Sequence, residues 1–447
     1  LWQYPQAVLI IMRRMFSLNM VPEMLQVKEW YVTALERNTA LSQRERDNYY
    51  GELEVILSFL AFNSITGMSE HHRRAYKLLS GAPQTLSKQG IWTFGAPSVL
   101  GLYLRTGCSL RQTVEDMQEC MPPYYLLSGW HGAGAAELTE AEASLLQGRI
   151  DEVDMPLQKA YYQAEKHGQE CITICCDFLE MQRDLFRGVY SSKAEVYSRH
   201  QWQLQPWKQS MLLNTADMCA GFYYALLGKQ EYIPSWLTDG NGQQPSVLYP
   251  ARPCRNYISA QCLLAQGQYT ELLVRWSDWE QECRPYSNFL CLLYLQVQRA
   301  AAFAGRGDVT SCRASLKQAL AMAEADKLVL PLAQNIALLR PYLEQELQGE
   351  FSAAASAALH LGQQLEAGRG QIMSARFAEA GLQELTEQEL QIAQLAAARH
   401  TNREIAQRLS LSEGTIKQYL NKIFAKLQID AAAKNKRHQL ERFFSNS

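Results

Sequence analysis

No stretch of the 447 residues is long and apolar enough to suggest a bilayer span. The most apolar short run near the start, Ala7 to Met12, is cut by Arg13 and Arg14. It falls far short of the roughly 20 residues a helical span needs, so neither a membrane anchor nor a leader peptide is expected. Nucleotide loops are missing too: neither GxGxxG nor GxxxxGK followed by Ser or Thr occurs, which leaves no phosphate cradle. His71 and His72 are adjacent, without a ligand at the i+4 spacing of a metal-binding helix. HExxH is absent, and no Ser, Cys or His stands in a recognisable nucleophile motif. Catalysis, a metal and a cofactor are therefore not expected. The eleven cysteines contain no CxxC pair, and Cys171, Cys175 and Cys176 share one apolar helical run. Reduced, buried thiols and a cytoplasmic chain are the expectation.

Charge of neither sign dominates. Lys and Arg number 43 against 45 Asp and Glu, a net charge of −2, and 47% of residues are hydrophobic, the composition of a globular chain. At roughly 100–200 residues per domain the length fits two to four domains, or one long repeat array with a small module. The charge is unevenly spread, since Leu385–Ser447 holds ten Lys and Arg against six Asp and Glu. A basic tail behind a mildly acidic body points to nucleic acid as the partner of the tail alone. The chain begins at Leu1 rather than Met, so it is expected to be part of a longer protein.

Glycine recurs with a period. Gly67, Gly107, Gly148, Gly188, Gly228, Gly267 and Gly307 are spaced by about 40 residues, and several end an apolar helical segment, as in LLQG, LFRG and LAQG. Glycine suits the positive φ just past a helix C-terminus, so each is expected to turn between two antiparallel helices of about 15 residues. Leu157, Ala160, Ala164 and Glu165 recur at the same offsets as Leu316, Ala319, Ala323 and Glu324, small residues that let neighbouring helices approach. Hairpins of this kind bury their apolar faces only by stacking. The fold expected for residues 1–365 is an all-α solenoid of about 40-residue, TPR-like helical hairpins. Residues 349–384, rich in Ala, Gln and Gly with Gly368 and Gly370 close together, are expected to form a last helix and then a linker at 366–384, and a small domain at 385–447 completes the division.

Aromatics are conspicuous in the body: Trp92, Phe94, Tyr124, Tyr125, Trp130, Trp202, Trp207, Tyr249, Trp276 and Trp279. Most are expected in the core. Two irregular segments, WTFGAP at 92–97 and SGWHGAGAA at 128–136, break the helical pattern with Gly and Pro. Aromatic and polar side chains on such segments are candidate ligand contacts, which singles out Trp92, Phe94, Tyr124, Tyr125, Trp130 and His131. A long inter-helix turn is the plainer alternative.

In the last sixty residues Thr386 precedes Glu389, and Thr401 precedes Glu404, by three positions. Both are capping boxes that start helices, and Ser412 stands where a third cap belongs. Ile416, Leu420, Ile423 and Leu427 line one face of that third helix, toward a core with Ile392, Leu395, Ile405 and Leu409. The opposite face carries Lys417, Gln418, Asn421, Lys422 and Ala425. Helix 401–409, a turn at 410–412 and helix 413–427 make a helix-turn-helix whose second member enters the major groove. Lys suits guanine O6 and N7, Gln or Asn suits adenine, and Lys422 and Lys426 suit phosphates.

The string LTEQELQIAQLAAARHTNREIAQRLSLSEGTIKQYLNKIFAKLQI resembles the LuxR-type DNA-binding domain. The likeness is carried by its LT-x-x-E opening, the N-x-E-I-A of the scaffold helix and the S-x-G-T-I-K-x-Y of the recognition helix. The resemblance implies base reading by Lys417, Gln418 and Asn421, with Thr415, Tyr419 and Lys422 near the backbone and Thr401, Asn402 and Arg403 at the DNA-facing start of the scaffold helix. The family usually continues into a dimerisation helix; here AAAKNKRHQLERFF is unusually basic, with Leu440, Phe443 and Phe444 available for packing. The body, including MRRMFSLNMVPEML, WTFGAPSVL and ECMPPYYLLSGWHGAGAAE, is similar to the helical-repeat sensor region of the large MalT-like LuxR regulators. In those an ATP-hydrolysing domain usually precedes the repeats, and its nucleotide loop is absent here. The resemblance implies a bacterial regulator that binds double-stranded promoter DNA as a homodimer, contacts RNA polymerase and senses a small molecule or protein. Two rivals remain: a protein-interaction scaffold that does not bind DNA, and an enzyme built on His131, Glu137 or a nearby Tyr.

Overall fold

A computed structural model describes residues 4–199, 209–239, 247–377, 385–427, 429, 436, 437 and 440. Trp202, Trp207, Phe443, Phe444 and residues 378–384 of the expected linker lie outside the described residues. Among the described residues there is no β-strand, only an isolated antiparallel bridge between Arg105 and Asn288. Among them, too, no helix is long and apolar enough to cross a membrane. The chain divides into two compact units, Leu1–Arg183 with Ser191–Leu365, and Asp184–Tyr190 with Glu366–Ser447.

The first unit opens with α1 (Pro5–Ser17), α2 (Val21–Arg37), α3 (Gln43–Ser58) and α4 (Ile65–Leu78). Proline at the start of α1 and α2 forfeits an N–H that has no helical partner there, while Ser42 and Ser64 cap α3 and α4. An irregular segment at 79–99 leads to the single turn α5 (Leu100–Tyr103), then α6 (Leu110–Ser128). Residues 129–134 break the chain again before α7 (Ala135–Leu146).

From there the forty-residue period is visible. Gly148, Gly188, Gly228, Gly267 and Gly307 follow α7, α9 (Glu170–Arg187), α11 (Gln209–Leu227), α12 (Arg252–Ala265) and α14 (Phe289–Gly305), all at positive φ. The returning helices are α8 (Asp154–His167), α10 (Ser192–Ser198), α13 (Tyr269–Cys283) and α15 (Val309–Glu324). The matching small residues Ala160, Ala164, Ala319 and Ala323 are fully buried. Helix α11 packs on α12 and α12 on α14, so the first members of successive pairs lie side by side. The array continues through α16 (Leu330–Gln334), α17 (Ile336–Glu346) and the start of α18 (Ser352–Ile372).

The regular hairpin has exceptions. Helix α10 has seven residues, and after α11 two 3-10 turns, Gln230–Tyr232 and Ser235–Leu237, occupy the place of a returning helix. Gly107 has positive φ but sits in the turn before α6. Gly67 ends no helix: it lies inside the first turn of α4, where its N–H is the donor to the capping Ser64. The repeat register therefore does not extend to it.

Buried carboxylates fix both the early part and the end of the irregular segment 79–99. Glu142 of α7 accepts from the N–H groups of Val99 (3.0 Å) and Leu100 (2.6 Å) and from the Ser98 hydroxyl, holding the start of α5. Burial pushes its carboxyl up to about 7 against the pull of those donors. Glu52 of α3 accepts from the N–H and hydroxyl of Thr85, anchoring residues 84–85. Ten of the eleven cysteines are buried, and Tyr223 and Tyr224 of α11 are among the largest enclosed side chains.

In the second unit, residues 366–372, expected in a linker, are helical as the end of α18, and Met373–Phe377 continue as a π-turn. Gly368 is a contact residue here rather than a breaker. A Cβ on it would lie 1.9 Å from the Leu185 carbonyl oxygen and 3.0 Å from the Gly188 nitrogen, an approach of backbones that only glycine permits. Beyond Leu385 come α19 (Glu387–Ala397), α20 (Asn402–Leu409) and α21 (Glu413–Lys426). Ile392, Ile405, Ile416 and Ile423 are fully buried, with Leu420, Leu427 and Leu440 beside them and Leu395 and Leu409 packed against the cluster.

Candidate functional site

Three caps start the helices of the small domain. Thr386 and Thr401 each receive the N–H three residues on and donate their own N–H to the carboxylate of Glu389 (2.9 Å) and Glu404 (2.7 Å). The backbone N–H of Thr401 holds the Glu404 carboxyl below the usual carboxylate range. Ser412 caps α21, its hydroxyl taking the Thr415 N–H at 3.0 Å. Ser410 turns the chain at φ +54° and Leu411 donates back to the Ala406 carbonyl, so α20 and α21 are joined by three residues.

With Ile416, Leu420 and Ile423 turned inward, Lys417, Gln418, Asn421, Lys422 and Ala425 emerge together on the outer face of α21, all exposed. Neither Lys417 nor Lys422 is ion-paired among the described residues. Such a row of charge and amides on a helix-turn-helix is suited to base edges and phosphates. Arg403 is exposed at the start of α20, beside the capping Thr401.

Besides the capping Thr401, four expected contacts have partners inside the domain. Lys426 donates to Glu389 at 2.6 Å, and this bond, foremost, holds the Glu389 carboxyl below its ordinary range. The Lys426 ammonium therefore ties the end of α21 to the start of α19 instead of standing free for phosphate. Tyr419 is half-buried and its hydroxyl donates to Gln388 at 3.0 Å. Thr415 shares a hydrogen bond with Ser412 at 2.8 Å. Asn402 accepts from Arg437, which also donates to the His400 carbonyl. Arg437 was not singled out from sequence; it belongs to the basic tail, where only its charge was legible.

The six aromatic-segment candidates separate into two groups. Trp92, Phe94, Tyr124 and His131 line one cavity of about 410 Å³ in the first unit, whereas Tyr125 and Trp130 do not. Trp130 is 38% exposed and stacks between Tyr125 (5.2 Å) and His167 (4.2 Å). In the cavity wall Trp92 stacks on Tyr103 at 5.3 Å, and a Cβ on Gly132 would lie 2.6 Å from its indole. The Tyr124 hydroxyl is 2.6 Å from His131 Nδ1, and the Tyr124 ring lies 4.6 Å from that of His72. Burial lowers the His72 imidazole to about 3, keeping it neutral. Sequence reasoning missed Arg13, Phe16, Phe59 and His72 of this wall. The available signal was Arg13 itself, a cation three residues before Phe16 within an apolar helix.

Three short helices on one core, the last two joined by a tight turn and the last presenting an exposed basic and amide-bearing face, define a helix-turn-helix DNA-binding domain. The family model described as "GerE: Bacterial regulatory proteins, luxR family" matches residues 383–434. That segment is a LuxR-family DNA-binding domain, and the domain marks the chain as a regulator of transcription; ahead of it the described chain is all-helical. No curated protein matches the chain.

Proposed function

We propose that the chain regulates transcription by coupling an effector-sensing helical unit to promoter binding by the helix-turn-helix. The observation that carries the DNA reading is the outer face of α21, where Lys417, Gln418, Asn421 and Lys422 are exposed together. Lys417 and Asn421 read base edges, Gln418 assists, and Lys422 and Arg403 meet phosphates. Two copies on half-sites one helical turn apart give the symmetric arrangement such domains use. The resemblance of the body to the helical-repeat sensor region of MalT-like regulators supports sensing of a small molecule or protein, as does the aromatic cavity. An effector acts by binding the DNA-competent state more tightly than the other, and polymerase contact converts occupancy into transcription.

Anisotropy titration of mixed-sequence duplex DNA with the full chain at two salt concentrations tests the DNA part. Binding that weakens with salt, with a slope flattened by about one in Lys422→Ala, agrees with the assignment. No binding at either salt leaves the interaction-scaffold reading.

A further inference from the structure

The cavity among α1, α3, α4, α6 and the 86–94 segment is walled by aromatic rings, chiefly Phe16, Phe59, Trp92, Phe94, Tyr103 and Tyr124. None of its lining residues among the described ones is acidic. Among the described lining residues Arg13 is the one that carries charge at every ordinary pH. The Arg13 guanidinium donates to the Thr85 carbonyl at 2.5 Å, and no carboxylate among the described residues pairs with it. It is half-buried, and this desolvation lowers its pKa. A guanidinium has five N–H donors in a planar fork. Withdrawing such a cation from water without an anion is costly, and this cost is recovered when an anion arrives.

We infer that this cavity binds a small monocarboxylate with a compact apolar, aromatic body, its carboxylate on Arg13 and its body against the ring walls. The inference rests on the sensing reading above and gives the effector its chemical class. Neutral His72 adds no second positive charge, which favours a monoanion over a phosphate. The volume of about 410 Å³ falls in the lower part of the roughly 300–1,000 Å³ range of small-molecule pockets, a fit for a one- or two-ring acid. The aromatic faces supply apolar contact area, and the forked guanidinium supplies orientation. The Thr85 carbonyl bond, backed by the Glu52 contacts to Thr85, holds the guanidinium in place before a ligand arrives.

The test is calorimetry of the full chain with benzoate, trans-cinnamate and indole-3-acetate, each against its neutral amide, with tryptophan fluorescence as a second readout because Trp92 lies in the wall. The expected result is saturable binding of at least one acid at millimolar or lower concentration, about tenfold tighter than its amide. In Arg13→Gln that preference disappears, and in Arg13→Lys part of it returns. Equal binding of acid and amide, no binding by any acid, or a preference unchanged in Arg13→Gln overturns the inference. The acid-against-amide comparison is made on the unaltered chain, so it stands even if the Arg13 variants fold poorly. Since it uses no DNA, a failure of the regulator reading is separately visible as a chain that binds an acid but no duplex.

Discussion

Replacing Glu142 by glutamine separates the cost of an enclosed charge from the value of its hydrogen bonds. In the folded chain the carboxyl titrates at about 7, against 4.5 for an ordinary glutamate. The folded state therefore holds the proton more tightly than the unfolded one. Its contribution to stability is complete below the unfolded value and is lost as pH rises through the folded value. At ~1.4 kcal/mol per tenfold, the loss is roughly 3 kcal/mol across that interval. The amide introduced by Glu142→Gln has no proton to lose, so the stability of the native chain relative to that variant is expected to fall by about that amount between about pH 4 and pH 8. His72 works in the opposite sense, because its pKa is lowered: its contribution is lost as pH falls below the ordinary histidine range, equally in both chains. All nine tryptophans precede residue 280 and none falls at 184–190 or after 365, so urea unfolding followed by tryptophan fluorescence reports the helical unit by itself. A difference between the two chains that stays constant with pH refutes the reasoning.

Gly368→Ala places a Cβ 1.9 Å from a backbone oxygen. Its expected cost is about 1–3 kcal/mol, the range for overpacking, with faster amide exchange at residues 184–190; unchanged exchange contradicts it. Lys426→Met removes the cation that lowers the Glu389 carboxyl. The stabilisation from that depressed carboxyl is present at neutral pH and lost on acidification. The variant is therefore expected to melt earlier at pH 7 in circular dichroism, with the difference shrinking toward acid pH, and a pH-independent difference argues against the pair. Lys422→Ala is expected to weaken binding to every sequence alike, whereas Asn421→Ala relaxes discrimination among sites by about 1–3 kcal/mol, as read by competition anisotropy.

The small domain was legible because its grammar is local. Thr386 with Glu389, Thr401 with Glu404 and Ser412 with Thr415 cap within four residues, and the inward face of α21 recurs along one helix. The glycine period was legible for the same reason, since positive φ at Gly148 or Gly307 belongs to the end of the preceding helix. Gly67 departs because Ser64 starts a helix there. What escaped depends on distant partners. Gly368 is fixed by Leu185, far away in sequence, and reads as a breaker without it. Lys426 reads as a free cation until Glu389 is beside it. Local breaks in pattern marked Trp92, Phe94, Tyr124 and His131, but Arg13 and Phe16 reach the same cavity from a helix more than seventy residues earlier.

The most direct test of the central claim is selection of bound fragments from the source genome by the purified full chain, beside a Lys417→Ala, Asn421→Ala double variant, at low and at near-physiological salt. The account predicts enrichment of one shared motif by the native chain and its loss in the variant, with residual salt-sensitive binding retained. The same motif enriched equally by both chains contradicts the assignment of base reading to α21.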